Sequence, residues 1–398
     1  MKLVKSILFI SAIFLCILNL NYARANAQDE QSYIRVALLQ GKANVNISAD
    51  NDFVVKDVDN NKNYKYTRGA IASISQQDRI VFVDKDSSLT TTLIVAVKND
   101  APISVNGQKY RGNLIIQPHR AGLTVINRLP LEQYLYGVIP KEMPSSWSIE
   151  ALKAQAIAAR TYALYYKKQG KYRSQGFDVT NTTESQVYGG LSAEMINSNN
   201  AVDATKGQIL TYVNDDPICA VFHAASGGYT ENSEDVWGTS IPYLRAVNDS
   251  GEKSPYDNWI KNVKISDFNR IIDSNYSDIG TIKQINIVDD PQKTVKTVQL
   301  VGSNKKSVEL TSTQMRSMLG LNSSNFQLNV IDAKQKVNKN TSQTIDKPDD
   351  ETLNIVGSGL GHRLGMSQWG AKSLAEKGQN YQQILTHYYT NVQIKAIY

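Results

Sequence analysis

One carboxylate of this sequence stands in a setting that suits acid–base chemistry. Glu142 follows the largely apolar run 135–140, and Met143 and Pro144 come directly after it. Because Pro140 and Pro144 fix φ and donate no backbone hydrogen bond, we expect Glu142 on a short, stiff and irregular connection. Burial among apolar groups disfavours the charged form and raises a carboxyl pKa, as a general acid at neutral pH requires. The alternative interpretation is an ordinary solvated loop carboxylate.

A helix is predicted to follow this carboxylate. Ser148 is a candidate N-cap, Gly170 is a candidate stop, and apolar residues recur between them at steps of three and four. Arg160 lies in the middle of this helix, and a charge inside a packed helix needs a partner. Glu142 and a substrate oxygen are the candidate partners, whereas the alternative is that Arg160 extends its charged end into solvent.

Two further segments could line a polar cleft. The segment 177–190 is rich in Thr, Asn and Gly. It is either an ordered loop with turn glycines or a cleft wall in which Gln186 and Tyr188 donate hydrogen bonds. A hairpin with an Asn-Asp-Asp-Pro turn is predicted at 208–223. His223 ends its second strand and precedes a loop of small residues, which suits a cleft, whereas the alternative is a His held by a backbone carbonyl.

A metal site beside His223 is not expected. Glu231, Glu234 and Asp235 follow it closely in sequence. Their spacing matches no known ligand pattern, and the second His or Cys that such a site needs is missing nearby. The sequence therefore predicts chemistry without a metal or another cofactor.

The segment 357–378 contains glycines at 359, 361 and 365. Their spacing differs from that of a dinucleotide-binding loop, and no βαβ pattern surrounds them. We therefore expect these glycines to let the backbone approach a ligand or another segment. Ser367 is predicted to cap the helix that follows, and Gln368 at its start would point donors toward whatever the glycine loop faces.

Length and composition are typical of a globular protein with two or three domains, since 41% of the 398 residues are hydrophobic and 20% are charged. Short β-rich runs fill 33–125, and Asn106-Gly107 predicts a two-residue hairpin. Helices are predicted further along, at 193–206 and 381–389. Mixed short strands and helices are predicted at 241–330, and a polar loop at 334–351. The predicted fold is α+β, with a small all-β module at 28–125 before a region at 126–398 that holds the candidate residues.

The first 27 residues are typical of a secretory signal. Lys2 and Lys5 precede an apolar run too short to span a bilayer comfortably, and residues 25–27, Ala-Asn-Ala, form a cleavage site. Cleavage would leave a secreted chain beginning at Gln28, and the alternative is an uncleaved anchor. Because cleavage removes three basic residues and no acid, the formal net charge falls from +6 to +3. A charge this small does not indicate a nucleic-acid partner.

Cysteine usage predicts no disulfide within the mature chain. Cys16 lies in the signal, where the preceding Leu15 argues against a lipoprotein site. Cleavage leaves Cys219 alone in an apolar run. We expect a buried core residue there rather than a catalytic thiol, because no activating group is visible.

In combination, four segments resemble the stage II sporulation protein D (SpoIID) or LytB amidase-enhancer family, over about residues 100–398. The segments are LEQYLYGVIPKEMPSSWSIEALKAQAIAARTYAL, QVYGG, VFHAASGGYTENSEDVWG with PYLRAV, and GLGHRLGMSQWGAKSLAEKG. The resemblance implies a SpoIID-like catalytic region with a substrate cleft and the activity of a lytic transglycosylase on cell-wall glycan. The family's single catalytic carboxylate lies in a Glu-Met-Pro motif, which matches Glu142, Met143 and Pro144.

The family's cleft motifs match several residues by position, namely Arg160, His223, Ser226 and Gln368. The candidate substrate-binding set also includes Gln186, Tyr188 and His362. Some family members hold zinc through a His and two nearby cysteines. Here Ala224, Ala225 and Ser226 follow His223 and no Cys lies in that region, so the resemblance implies no zinc site.

One carboxylate suffices for a lytic transglycosylase. A glycoside hydrolase usually needs two, but here the muramic-acid 6-hydroxyl attacks from within the substrate and closes a 1,6-anhydro ring. Glu142 would give a proton to the glycosidic oxygen and then take one from the 6-hydroxyl. Because a nearby cation would lower the pKa of Glu142, we place Arg160 on the substrate or on a neighbouring carboxylate.

Two other functions stay open at this point. The first is a non-catalytic wall-binding protein that stimulates a separate N-acetylmuramoyl-L-alanine amidase, and the second is a wall-anchoring protein with a degenerate site. Peptidoglycan glycan strands are the expected partner, and the first alternative adds a wall amidase or another wall-remodelling protein. Each function places the mature protein outside the cytoplasm at the cell wall.

Overall fold

The computed structural model describes residues 32–289, 295–331, 337–338, 342–345 and 350–397. The predicted signal at 1–27 and most of the predicted polar loop at 334–351 lie outside the described residues. No helix within the described ranges is long and apolar enough to cross a membrane. Helices and strands are mixed along the chain, which confirms the α+β class.

The chain divides into two compact units, each built from more than one segment. Unit 1 comprises Met1–Ser146, Ala159–Ile209 and Lys395–Tyr398, and unit 2 comprises Trp147–Ala158 and Leu210–Ile394. These units are assembled differently from the predicted domains. One strand, Gly122–Pro130, runs through the predicted boundary at 125/126. The β module therefore belongs to the same unit as the segment that carries Glu142.

Unit 1 contains two sheets. Its strands are β1 Tyr33–Lys42, β2 Asn44–Ala49, β3 Phe53–Asp57, β4 Lys62–Tyr66, β5 Ala72–Gln77, β6 Ile80–Val83, β7 Asp86–Ser88, β8 Leu93–Val97, β9 Ile103–Val105, β10 Gln108–Tyr110, β11 Asn113–His119, β12 Gly122–Pro130 and β13 Val179–Thr180. The strand orders are β13-β1-β12-β11-β8-β3-β4 and β10-β9-β2-β5-β6-β7. In β3 and β8, alternate side chains are fully or nearly buried, which is the pattern of strands with one face in a core.

The sequence correctly predicted the hairpin between β9 and β10. Val105 pairs with Gln108, and the two turn residues Asn106 and Gly107 have φ of 48° and 90°. A two-residue turn of this kind requires positive φ at both positions, which Asn and Gly adopt most easily.

Helix α1, Leu131–Glu142, shows that the predicted irregular connection before Glu142 was wrong. Its large buried side chains recur at helical spacing, at Leu131, Tyr134, Leu135, Val138 and Ile139. Proline inside a helix costs about 3 kcal/mol, but each buried aliphatic side chain contributes about 1.5–3 kcal/mol. Pro140 lies in the last turn, so only two helical residues follow it. Burial of the apolar stripe therefore outweighs the proline.

The end of α1 is set by the proline that follows. Met143 precedes Pro144 and adopts an extended conformation, with φ −138° and ψ 132°. A residue before proline is sterically disfavoured in the helical region, so the helix cannot continue. The Glu142 side chain is consequently placed at the last helical position.

Helix α2, Ile149–Gln169, was predicted correctly. Ser148 Oγ accepts a hydrogen bond from the Glu150 N–H at 3.4 Å, and Gly170 follows the helix with φ 67°. Residues 149–158 belong to unit 2 and the remainder of the helix to unit 1. Helix α3, Ile196–Ala204, is shorter than predicted, and a separate 3₁₀ turn occupies Leu191–Ala193.

The remaining elements lie mainly in unit 2. The helices are α4 Ser233–Trp237, α5 Ile265–Asn275, α6 Ser312–Leu319, α7 Gln368–Glu376 and α8 Tyr381–Tyr388. The strands are β14 Gln208–Thr211, β15 Phe222–His223, β16 Trp259–Lys264, β17 Ile282–Asp289, β18 Val295–Gly302, β19 Ser307–Thr311, β20 Phe326–Ile331, β21 Val337–Asn338, β22 Ser342–Thr344, β23 Thr352–Gly357, β24 Met366–Ser367 and β25 Gln393–Ala396. Two four-stranded sheets, β16-β23-β20-β21 and β19-β18-β17-β22, share one hydrophobic core with α5 and α6.

The predicted hairpin at 208–223 is present only near its turn. Thr211 pairs with Pro217, but His223 belongs to β15, which runs parallel to β24. The partner strand is far away in sequence, so local patterning could not reveal it. Cys219 is buried, as predicted.

Candidate functional site

The candidate site residues fall into two sets. Unit 1 contains Glu142, Arg160, Gln186 and Tyr188, and unit 2 contains His223, Ser226, His362 and Gln368. Glu142 is the candidate for proton transfer, and the other residues are candidates for binding or positioning.

The Glu142 carboxyl is half-buried at the C-terminal end of α1. Its Oε1 accepts a hydrogen bond from the backbone N–H of Val187 at 3.3 Å. The C-terminus of a helix carries a partial negative charge, which opposes ionisation of a carboxyl at this position. The Val187 N–H in turn stabilises the anion that remains after proton donation. The position thus suits a group that alternates between the two states.

Gln186 is buried within unit 1. Its Oε1 accepts from the Tyr134 hydroxyl at 3.2 Å, and its Nε2 donates to the Ala159 carbonyl at 3.2 Å. Burial, and then the charge of Glu142, raises the pKa of Tyr134 well above its ordinary value, so this phenol stays neutral. Gln186 therefore fixes the residue before Val187, and its predicted role as a donor in a cleft wall is not the one seen here.

Tyr188 packs the same segment onto α1. Its ring centroid lies 5.1 Å from that of Tyr134, and its hydroxyl donates to Asn127 Oδ1 at 3.1 Å. Gly137 makes this packing feasible, because a Cβ there would lie 2.5 Å from Tyr188 Cε2. With 5% of its surface exposed, Tyr188 holds Val187 beside Glu142 and is a positioning residue.

Arg160 occupies the second of its two predicted places, on a neighbouring carboxylate. Its Nε and Nη2 donate to the two Glu132 oxygens at 2.9 and 2.6 Å. Its remaining bonds go to the backbone carbonyls of Val202 and Gln208. The side chain has no exposed surface. Direct contact with a substrate is therefore not part of this arrangement, and we correct that assignment to a structural ion pair.

His223 presents a buried acceptor. Its Nδ1 must carry the proton, because it lies 3.0 Å from the Leu364 carbonyl, which can only accept. Its Nε2 is then an unprotonated acceptor, and no group in the described part of the chain donates to it. Burial, followed by the neighbouring His362 ring, holds the pKa of His223 well below its ordinary value. His223 is thus a neutral ring that can accept from a hydroxyl or an amide N–H.

His362 lies beside this ring, with 5.6 Å between the centroids. Its Nδ1 accepts from the Leu364 N–H at 3.0 Å, and burial, followed by the charge of Arg316, lowers its pKa to about 4. Gly361 permits the close approach, because a Cβ there would lie 2.9 Å from the His223 Cβ and φ is 112°. The glycine segment therefore approaches another segment, as predicted.

Acids near His223 serve ion pairs. Glu231 pairs with Arg363, whose Nε also donates to the Ser226 carbonyl at 2.9 Å. Glu234 pairs with Arg245, and this hydrogen bond lowers the pKa of Glu234 to about 2. Within the described ranges, no group of three or more His, Cys, Asp or Glu residues could hold a metal ion.

Gln368 begins α7, and Ser367 caps this helix by accepting from the Gly370 N–H at 3.1 Å. The Gln368 Nε2 donates to Gln155 Oε1 at 3.5 Å. Gln155 is fully buried, and its Nε2 has no acceptor among the described residues. The feature of the sequence that could have indicated Gln155 is a polar side chain on a helix rich in alanine. Gln155 is a candidate that sequence reasoning missed.

Ser226 is fully buried, and its N–H and hydroxyl contact Glu252 at 2.8 and 2.9 Å. It therefore positions the loop after His223. Glu252, Asp249 and the Arg160 partner Glu132 were all missed, since each meets its partner only through the fold.

The sequence of this chain is similar to those of several known proteins. The family model described as "Stage II sporulation protein" matches residues 119–212. Stage II sporulation protein D of Bacillus subtilis is 31% identical over 308 residues, which cover 74% of this chain and 82% of that protein. The amidase enhancer of Bacillus subtilis is 33% identical over 72% of this chain and 44% of its own length. An uncharacterized protein of Brachyspira hyodysenteriae is 32% identical over 95% of each chain. This chain belongs to the stage II sporulation protein D family.

Proposed function

We propose that this protein acts on the bacterial cell wall as a lytic transglycosylase that cleaves peptidoglycan glycan strands. The names of the Bacillus subtilis relatives support a role in the cell wall. The observation that carries the proposal is the Glu142 carboxyl, half-buried at a helix C-terminus and oriented by the Val187 N–H. We also propose that the segment 1–27 directs export, since the substrate lies outside the cytoplasm.

In the proposed reaction Glu142 serves twice. The neutral carboxyl gives its proton to the glycosidic oxygen as the bond from that oxygen to the muramic-acid C1 breaks. The Glu142 carboxylate then takes the proton of the 6-hydroxyl while O6 bonds to C1. The products are a 1,6-anhydro-muramoyl end and a new free hydroxyl, and Glu142 is again protonated. The internal nucleophile replaces the second carboxylate of a hydrolase.

His223 and Gln368 are the residues of unit 2 that we propose for substrate contact. His223 offers Nε2 as an acceptor, which suits a sugar hydroxyl or an N-acetyl N–H. Gln368 offers its amide group at the start of α7, and Gln155 inside α2 accepts from that amide. Neutral donors and acceptors of this kind suit a carbohydrate better than a charged ligand.

The test is Glu142→Gln. Glutamine keeps the size of the side chain and an oxygen that can accept from Val187, but it has no proton to transfer. General acid–base catalysis is worth about 10²–10⁴-fold in rate, so release of 1,6-anhydro products should fall by at least that much. The products are measured by mass spectrometry of purified glycan strands, with and without peptide stems. A pull-down on the same strands should show nearly normal binding.

Glu309→Gln is the matched control, because Glu309 is exposed on β19 and should not affect the rate. Full activity of Glu142→Gln would move the proton-transfer role to another group. The relative named amidase enhancer favours a second function, stimulation of a wall amidase. If the wild type releases no 1,6-anhydro products, and both the wild type and Glu142→Gln stimulate a purified amidase, the second function would be established instead.

A further inference from the structure

Ser226 joins two acidic side chains through one hydroxyl. Its Oγ lies 2.8 Å from Asp249 Oδ2 and 2.9 Å from Glu252 Oε2, and it accepts the Gly228 N–H at 3.1 Å. A hydroxyl has one hydrogen to donate and two acceptor positions. Ser226 can therefore donate to one carboxyl only, and the second short contact needs a hydrogen from the other carboxyl. The geometry thus requires one proton on the pair.

The proton belongs on Asp249. Glu252 Oε2 also accepts from the Ser226 N–H at 2.8 Å and from the Ser367 hydroxyl at 2.6 Å, so donors already occupy this oxygen. Asp249 is 4% exposed, and its Oδ1 accepts from the Tyr388 hydroxyl at 2.9 Å. Burial, and then the charge of Glu252, raises the pKa of Asp249 to about 7.

The pair connects the two residues proposed to contact the substrate. Ser226 lies in the loop after His223, and Ser367 precedes Gln368 and caps α7. His223 and Ser367 also face each other in the β15–β24 ladder. Asp249 reaches the first turn of α7 because residue 370 is glycine, where a Cβ would lie 2.4 Å from Asp249 Oδ2.

We propose that Asp249 and Glu252 share one proton and act as positioning residues for His223 and Gln368. When that proton is lost, two negative charges face one hydroxyl, and one Ser226 contact has no hydrogen. The loop after His223 and the start of α7 are then held less firmly. Proton sharing is a property of the fold itself, whereas its consequence for glycan binding rests on the proposed function.

Several other titratable groups lie near the pair. Lys377 Nζ lies next to Gly251, in the loop between the two acids, and the N-terminus of α7 faces Asp249. Arg363 donates to the Ser226 carbonyl, and the Tyr388 hydroxyl stays neutral because burial raises its pKa. His387 also lies close by, and burial lowers its pKa. Loss of the shared proton would place a second negative charge in the same space.

The dependence on pH has a definite sign. Asp249 holds its proton more tightly in the folded chain than in the unfolded chain, where its pKa is about 3.9. Its contribution to stability is therefore fully present below about pH 4 and is lost as the pH rises toward about 7. Asp249→Asn should remove this part of the pH dependence, because the amide donates to Ser226 at every pH.

The experiment is urea unfolding of the full chain from about pH 4 to about pH 8, followed by tryptophan fluorescence. All four tryptophans lie in unit 2, at 147, 237, 259 and 369. The wild type should lose stability across this range, Asp249→Asn should lose much less, and the control Asp273→Asn, exposed on α5, should behave as the wild type does. An Asp249→Asn protein with the wild-type pH dependence would overturn the proposal.

Two further measurements keep the proposal testable if Asp249→Asn fails to fold. Infrared spectra of the wild type should show a protonated carboxyl at about pH 5 that disappears by about pH 8, and its absence would contradict proton sharing. Pull-down on glycan strands should weaken over the same interval in the wild type. Absence of glycan binding at every pH, with the unfolding result intact, would reject the proposed function and leave the shared proton standing.

Discussion

Glu132→Gln should destabilise unit 1 strongly, because it leaves a buried guanidinium without its anion. Arg160 is 0% exposed, and two of its nitrogens donate to Glu132. Removing one partner of a buried ion pair costs about 3–5 kcal/mol, which is a large share of a typical unfolding free energy of about 5–15 kcal/mol. The Val202 and Gln208 carbonyls still accept from Arg160, so we expect a loss near the lower value of about 3 kcal/mol.

The measurement must separate the two units, since a two-unit chain need not unfold in one step. Unit 1 contains no tryptophan, so hydrogen exchange at the amides of β12 and α1 is the appropriate probe. Exchange there should become faster in Glu132→Gln by the factor that corresponds to the lost free energy. Tryptophan fluorescence, which reports on unit 2, provides an internal reference.

Glu184→Gln is the matched control, because Glu184 forms an exposed ion pair with Lys171. Such pairs are worth about 0–1 kcal/mol. Replacing both buried partners with apolar residues, as in Glu132→Leu with Arg160→Met, should recover most of the loss. The reasoning is refuted if Glu132→Gln costs no more than Glu184→Gln, or if the double variant is as unstable as the single one.

One further substitution tests the candidate site, and one further measurement tests cleavage of the segment 1–27. Gly137→Ala should lower the free energy of unfolding by about 1–3 kcal/mol and reduce activity, because the added Cβ would displace the Tyr188 ring and with it Val187. Unchanged hydrogen exchange at the amides of α1 would contradict this packing. Mature protein isolated from the wall should begin near Gln28 on N-terminal sequencing, whereas retention of Met1 would favour an uncleaved anchor.

Helix α1 shows where reading the sequence failed. Two prolines suggested an irregular connection, and their local effect is real, since Pro144 ends the helix. The apolar spacing from Leu131 to Ile139 nevertheless predicts a helix once it is weighed against Pro140. Burial of several large side chains exceeds the cost of one proline near a helix end. Glu142 remains the candidate for proton transfer, and its position at a helix end was not foreseen.

Local features of the sequence were predicted well, and long-range partners were not. The Asn106-Gly107 turn and the Ser367 cap depend on neighbouring residues only, and both formed as expected. The partner of Arg160 and the partner strand of His223 depend on segments far apart in the chain. For the same reason Gln186 and Ser226 were assigned to substrate binding, whereas their buried contacts make them positioning residues.

The two acids of α1 have opposite environments, and the sequence explains why. Glu132 lies in the first turn, where the helix favours an anion and where Arg160 and the Gly207 N–H donate to it. Glu142 lies in the last turn, where the helix opposes an anion and the backbone N–H of Val187 donates to Oε1 at 3.3 Å. The order Glu-Met-Pro produces this difference, since Pro144 forces Met143 out of the helical region and thereby makes Glu142 the last helical residue. The motif therefore sets the electrostatic surroundings of the carboxyl as well as supplying it.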